Sequence, residues 1–180
     1  MTLGVNGRER DIKLALSYHN NSSVPHMANL LTSILIHYPE IATIKLDPKT
    51  QIVKFNFYIK NISQKLKPLE KNLQQSLRTF YFLENIDTEL SSFSFNILEC
   101  FTILEFQRDI HSLSQKEITL IIALLKEEFG VSLVTDEDDL LLVDDSVLHE
   151  ELVSYMLENV KANIELIALR DEGKVVLYNK

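Results

Sequence analysis

Between Gln51 and Lys60 the chain alternates without a break: Val53, Phe55, Phe57 and Ile59 are apolar, and Lys54, Asn56, Tyr58 and Lys60 stand between them. A two-residue period puts the two sets on opposite faces of an extended backbone, so the segment reads as a half-buried β-strand. Asp11–Tyr18 has the same pattern, with Ile12, Leu14, Leu16 and Tyr18 against Asp11, Lys13, Ala15 and Ser17. Phe93, Phe95 and Ile97 alternate in turn with Ser92, Ser94 and Asn96. Any fold for this chain has to offer each such strand one covered face.

Helical spacing fills the gaps. Met27, Leu30, Leu31, Ile34, Leu35 and Tyr38 recur three and four apart after the turn Asn20–Pro25, and Pro39 ends the run. Leu66, Leu69, Leu73, Leu77 and Phe80 make a second stripe, with Ser63 as its cap. Asp47-Pro48-Lys49-Thr50 is a β-turn that joins Ile41–Leu46 to the strand after it. The first half therefore has the order β-α-β-β-α-β. From Leu98 to Phe106 the alternation loses its register, which predicts a bulge or a bend there.

The second half repeats the order. Phe101–Phe106 is followed by the S-x-x-E capping box Ser114–Glu117, which opens a helix over Ile118, Ile121, Ile122, Leu125 and Phe129 and closes at Gly130. Val131–Val134 and Leu140–Val143 read as a hairpin around the acidic turn Thr135–Asp139. A fourth helix, capped by Asp145 or Ser146, carries Leu148, Leu152, Tyr155, Met156 and Val160. Ile164–Leu169 and Lys174–Tyr178 form a last hairpin around Asp171-Glu172-Gly173. The expected class is α+β, as two tandem ferredoxin-like (βαββαβ) units, 1–98 and 99–180, the second with an extra C-terminal strand. The alternative is a single α+β domain with one continuous antiparallel sheet.

Composition narrows the function classes. Of 180 residues, 46% are hydrophobic and 24% charged, which suits a packed core and argues against disorder. A single cysteine, Cys100, excludes an internal disulfide framework and a thiolate-rich zinc site. The first residues hold no apolar signal core and no run approaches a membrane span, so a cytoplasmic location without membrane association is expected. The net charge of −8 is uneven: residues 1–90 carry 11 Lys+Arg against 8 Asp+Glu, and residues 91–180 carry 7 against 18. Such a split marks an anionic partner for the first half or, more plainly, two halves that attract each other.

Chemistry-bearing motifs are sparse. No GxGxxG, Walker, GxSxG, HExxH or CxxC pattern occurs, and four glycines leave little room for a phosphate-cradling loop. Cys100 lacks a neighbouring helix N-terminus or glycine turn to make it a nucleophile with His111. His26 and His37 share a helix face but stand about 16 Å apart at helical rise, too far for one ion. The acidic run 136–139 lacks the glycine and glutamate that a calcium loop requires. No metal or cofactor is expected.

Two groups of residues remain as candidates. His19 and His111 each follow the first strand of their half and precede a helix cap, and with Tyr18 and Arg108 they are the residues to watch for a small-molecule site between the halves. Lys54, Tyr58 and Lys60 form a basic strand face that suits a protein partner or self-association. The same face raises RNA binding by the first half, less favoured because no second aromatic platform accompanies Tyr58. The sequence thus points to a non-catalytic interaction or regulatory protein. A small-molecule binder or enzyme is the alternative, and an enzyme is the less favoured of the two.

Overall fold

The computed structural model describes residues 23–60, 66–136, 146–158, 165–171 and 173–179. The elements are α1 (Ser23–His37), β1 (Thr43–Asp47), β2 (Ile52–Lys60), α2 (Leu66–Glu84), β3 (Ser91–Ile97), β4 (Phe101–Asp109), α3 (Gln115–Phe129), a 3-10 turn (Gly130–Ser132), α4 (Ser146–Glu158), β5 (Leu166–Asp171) and β6 (Lys174–Asn179). The protein is α+β. Its six described strands form one antiparallel sheet in the order β3-β4-β2-β1-β5-β6.

The described strands are compatible with the single-sheet arrangement. The 98/99 boundary falls in the turn between β3 and β4, which are hydrogen-bonded to each other, and β2 pairs with β4 from Ile52↔Asp109 to Lys60↔Phe101. The tandem arrangement depends on the strand expected at Asp11–Tyr18, which lies outside the described residues, as do the Ser63 cap and the strand expected at Leu140–Val143.

Strand alternation places the core on one face. Ile44 and Leu46 of β1, Val53, Phe55, Phe57 and Ile59 of β2, Phe93 of β3, Leu104 and Phe106 of β4, and Leu166 and Ala168 of β5 are all buried. They join a single cluster with the apolar stripes of the helices: Leu30, Leu31, Ile34 and Leu35 of α1, Leu69, Leu73 and Leu77 of α2, Ile118, Ile121 and Leu125 of α3, and Val153 and Leu157 of α4. All four helices therefore cover the same side of the sheet. Each large buried side chain contributes about 1.5–3 kcal/mol, so this side holds the fold together.

The turns follow their chemistry. Asp47 accepts the Lys49 amide at 2.9 Å, the Asx turn that Asp-Pro-Lys-Thr encodes, and Gln51 leaves it with φ +55°. Gly130 ends α3 at φ +49°, donating its amide to the Lys126 carbonyl, and Gly173 turns the last hairpin at φ +73°. Val131–Val134 does not make a strand. Its first residues continue α3 as the 3-10 turn, and only Leu133 bridges, to Ile59.

The irregularity expected between Leu98 and Phe106 is a turn followed by a regular strand. β4 alternates cleanly, with Thr102, Leu104, Phe106 and Arg108 inward. The pattern was hidden because the inward Thr102 is polar, while the apolar Phe101 and Ile103 face the other way.

Candidate interaction surface

Arg108 looks like a ligand-binding cation in the sequence, and the structure encloses it completely at 0% exposure. Its Nε donates to Glu117 Oε1 at 2.9 Å and its Nη2 to Glu117 Oε2 at 3.3 Å, a bidentate pair. The remaining N–H groups reach the Asp109 carboxylate, the Ser112 hydroxyl at 2.8 Å and the Ser112 carbonyl at 3.1 Å. The guanidinium also lies 5.2 Å from the centroid of the Tyr81 ring. Tyr81 in turn donates to Glu117 at 2.7 Å and lies 2.8 Å from the Ser91 hydroxyl. A buried cation is tolerable only with every donor engaged, and here every N–H has an acceptor. The cluster ties β4 to α2 and α3.

The capping box takes a different form from the one its spacing predicts. Ser114 does accept the Glu117 amide at 3.2 Å, but the Glu117 carboxylate turns inward to Arg108 and Tyr81. A buried guanidinium is a stronger partner than a helix N-terminal amide.

Electrostatics follow from that burial. Desolvation pushes the Glu117 carboxyl above its ordinary value, only partly offset by Arg108. Burial and the Glu117 charge push the Tyr81 phenol well up. Burial also works to raise Asp109, but hydrogen bonds from Ser112 and the Leu90 amide, with the Arg108 charge, outweigh it and hold that carboxyl below its ordinary range.

Of the other residues watched for a small-molecule site, only His111 is described. His111 is exposed in the turn after β4. Tyr18 and His19 lie outside the described residues. Among the described residues no three metal-ligating side chains come together. Of the acidic run, Asp136 is described: its amide bonds to the Pro39 carbonyl and its carboxylate lies 3.7 Å from Arg170.

Lys54, Tyr58 and Lys60 stand on the side of the sheet opposite the helices, where no described element packs. Cross-strand register organises this side into rows. Ser94, Glu105, Asn56, Thr43, Leu169 and Val176 make one row across all six strands. In the next, Lys54 and Lys45 are directly opposed, a repulsive contact relieved by Glu105 at 3.5 Å from Lys54 and Glu165 at 3.1 Å from Lys45. These bridges cross the two halves of the sequence and account locally for part of the charge split.

One corner of this side is distinctive. Tyr58 lies opposite Ile103 and diagonal to Phe101, with the Tyr58 and Phe101 rings 5.4 Å apart. Lys60, opposite Phe101, is exposed and has no ion-pair partner among the described residues. Tyr58, Lys60, Phe101, Cys100 and Val134 border a shallow opening of about 320 Å³. Phe101 is the residue that the sequence did not reveal: it belongs to the other half of the chain, and only the β2–β4 pairing brings it beside Tyr58.

Among the described residues, no helix is long and apolar enough to cross a membrane. Comparison of the chain with protein-family models, with curated proteins and with solved structures finds no match.

Proposed function

We propose that this is a non-catalytic interaction protein that receives a protein partner on the outward side of its sheet. The observation that supports this reading is the Tyr58–Phe101 pair beside Lys60, on a surface the helices leave open. Rigid aromatic side chains supply contact area at low entropic cost and dominate binding in many interfaces. Lys60 selects for charge, so the fitting partner places an apolar side chain on the two rings and a carboxylate beside them.

The test is affinity capture with the wild-type chain, identification of the retained protein, and direct titration of that protein against variants. Tyr58→Ala with Phe101→Ala should abolish binding, Lys60→Ala should weaken it and make it less salt-sensitive, and Glu127→Ala on the far side should leave it unchanged. Equal binding by the double variant would overturn the proposal.

A second reading, single-stranded RNA binding, is supported by the same two rings, which offer the paired stacking platform that Tyr58 lacks alone. Glu99 and Glu105 lie near the platform and oppose it. Salt-dependent retention on single-stranded RNA, lost in Lys54→Ala/Tyr58→Ala, would favour this reading over a protein partner.

A further inference from the structure

The sheet has two edges, and they are protected differently. β6 opens with the exposed Lys174, the kind of charge that discourages a foreign strand from adding. β3 reads SSFSFNI, with no charge and no proline, and among the described residues it is paired on one side only, to β4.

The direction of its free groups follows from the register. The Leu98 amide bonds to the Phe101 carbonyl and the Asp109 amide to the Leu90 carbonyl, so the hydrogen-bonded pairs with β4 fall on even positions of this segment. The amides and carbonyls of Phe93, Phe95 and Ile97 therefore point away from β4, into the open edge. Gln74 confirms that direction, because its Nε2 reaches the outward carbonyl of Ser91 at 2.9 Å. Ser91 is thus closed off by α2, and among the described residues nothing pairs with the outward side of the stretch from Phe93 to Ile97. Ile97 is 69% exposed there.

The flank of α2 that carries Gln74 has a charge of its own. Lys67, Lys71 and Arg78 share its face at the i, i+4, i+7, i+11 spacing, and with Glu70 and Gln75 they line a groove of about 530 Å³. An uncharged strand edge next to a basic helix flank suits one kind of guest. Main-chain bonds hold an extended segment to β3, and acidic side chains on that segment meet the α2 cations. A second copy of this chain fits less well, because joining two β3 edges brings two basic flanks together. We propose that β3 and α2 form a docking site for an acidic, extended peptide segment. This surface lies apart from the Tyr58–Phe101 corner, so either assignment can fail without the other.

The experiment uses the full chain and two labelled decapeptides, one alternating valine with glutamate and one alternating valine with lysine, followed by fluorescence anisotropy. The glutamate peptide should bind about tenfold or more tightly than the lysine peptide and weaken as salt is added. Ile97→Pro removes one outward donor and leaves the bonds to β4 intact, so it should abolish binding while the circular dichroism stays unchanged. Lys71→Glu with Arg78→Glu should abolish the preference for glutamate, and Tyr58→Ala should change nothing. The proposal is overturned if the two peptides bind alike, if Ile97→Pro binds as the wild type does, or if the Phe93, Phe95 and Ile97 amides of the free chain are already protected from hydrogen exchange. Dimerisation of the free chain through β3 would overturn it as well.

Discussion

The two sides of β2 share a backbone and differ in everything else. Inward, Val53, Phe55, Phe57 and Ile59 are at most 2% exposed and join the cluster that all four helices complete. Outward, Lys54, Asn56 and Tyr58 are half-buried among their strand neighbours, and Lys60 is exposed. The inward side is used up by folding, and among the described residues no helix covers the outward side. The same division separates the cations that the sequence offers as binding residues: Arg108, on an inward position of β4, is consumed by Glu117 and Asp109, whereas on the outward side Lys54 shares a loose bridge with Glu105 and Lys60 has no ion-pair partner among the described residues.

The largest effects should fall on the inward side. Arg108→Ala leaves the Glu117 carboxylate buried without its partner, and should cost about 3–5 kcal/mol in urea denaturation. If the variant is as stable as the wild type, the cluster is not structural and Arg108 returns as a binding residue. Phe57→Ala opens a cavity in the same layer and should cost about 3–5 kcal/mol. Tyr58→Ala, one residue away, should cost less than about 1 kcal/mol, and a larger loss would mean that the outward side is covered.

Acid sharpens the comparison within the Arg108 cluster. Asp109 has a folded-state value below its ordinary 3.8, so its contribution is present above that pH and is lost as the pH falls through the folded value. Glu117 has a folded-state value above its ordinary 4.5, so its contribution has the opposite sign and grows as the pH falls. Asp109→Asn should therefore flatten the acid limb of the stability profile, and Glu117→Gln should steepen it, measured by denaturation between about pH 2 and 6. Profiles that move together in both variants would contradict the assigned signs. The smallest effect is expected from Lys54→Ala: its bridge to Glu105 joins two partly exposed side chains and should be worth under about 1 kcal/mol, a change best seen as a small shift in denaturation midpoint.

What could be read before the structure was whatever local chemistry decides. The alternation of β2, the stripe of α1, the Asp47–Thr50 turn, the Ser114 cap and the glycines at 130 and 173 all depend on neighbours in sequence, and all appear as expected. The misreadings came where distant residues decide. β4 looked irregular because Thr102 is a polar residue on the inward side while Phe101 and Ile103 are apolar on the outward one, a choice that only the pairing with β2 and β3 makes. Val131 looked like the start of a strand because it is apolar, and it is fully exposed after the Gly130 cap. The second aromatic beside Tyr58 was invisible because Phe101 is 43 positions away and reaches Tyr58 through strand pairing alone.

The central claim is that the side of the sheet opposite the helices is open in the free protein. Hydroxyl-radical footprinting of the full chain reads it directly, with internal standards in the exposed Tyr155 and Tyr178 and the buried Tyr38 and Tyr81. An open face predicts that half-buried Tyr58 and Phe101 are oxidised at rates between those two sets, well above Tyr38 and Tyr81. Rates as slow as those of Tyr38 and Tyr81 would show that something already covers this side, and would contradict the account.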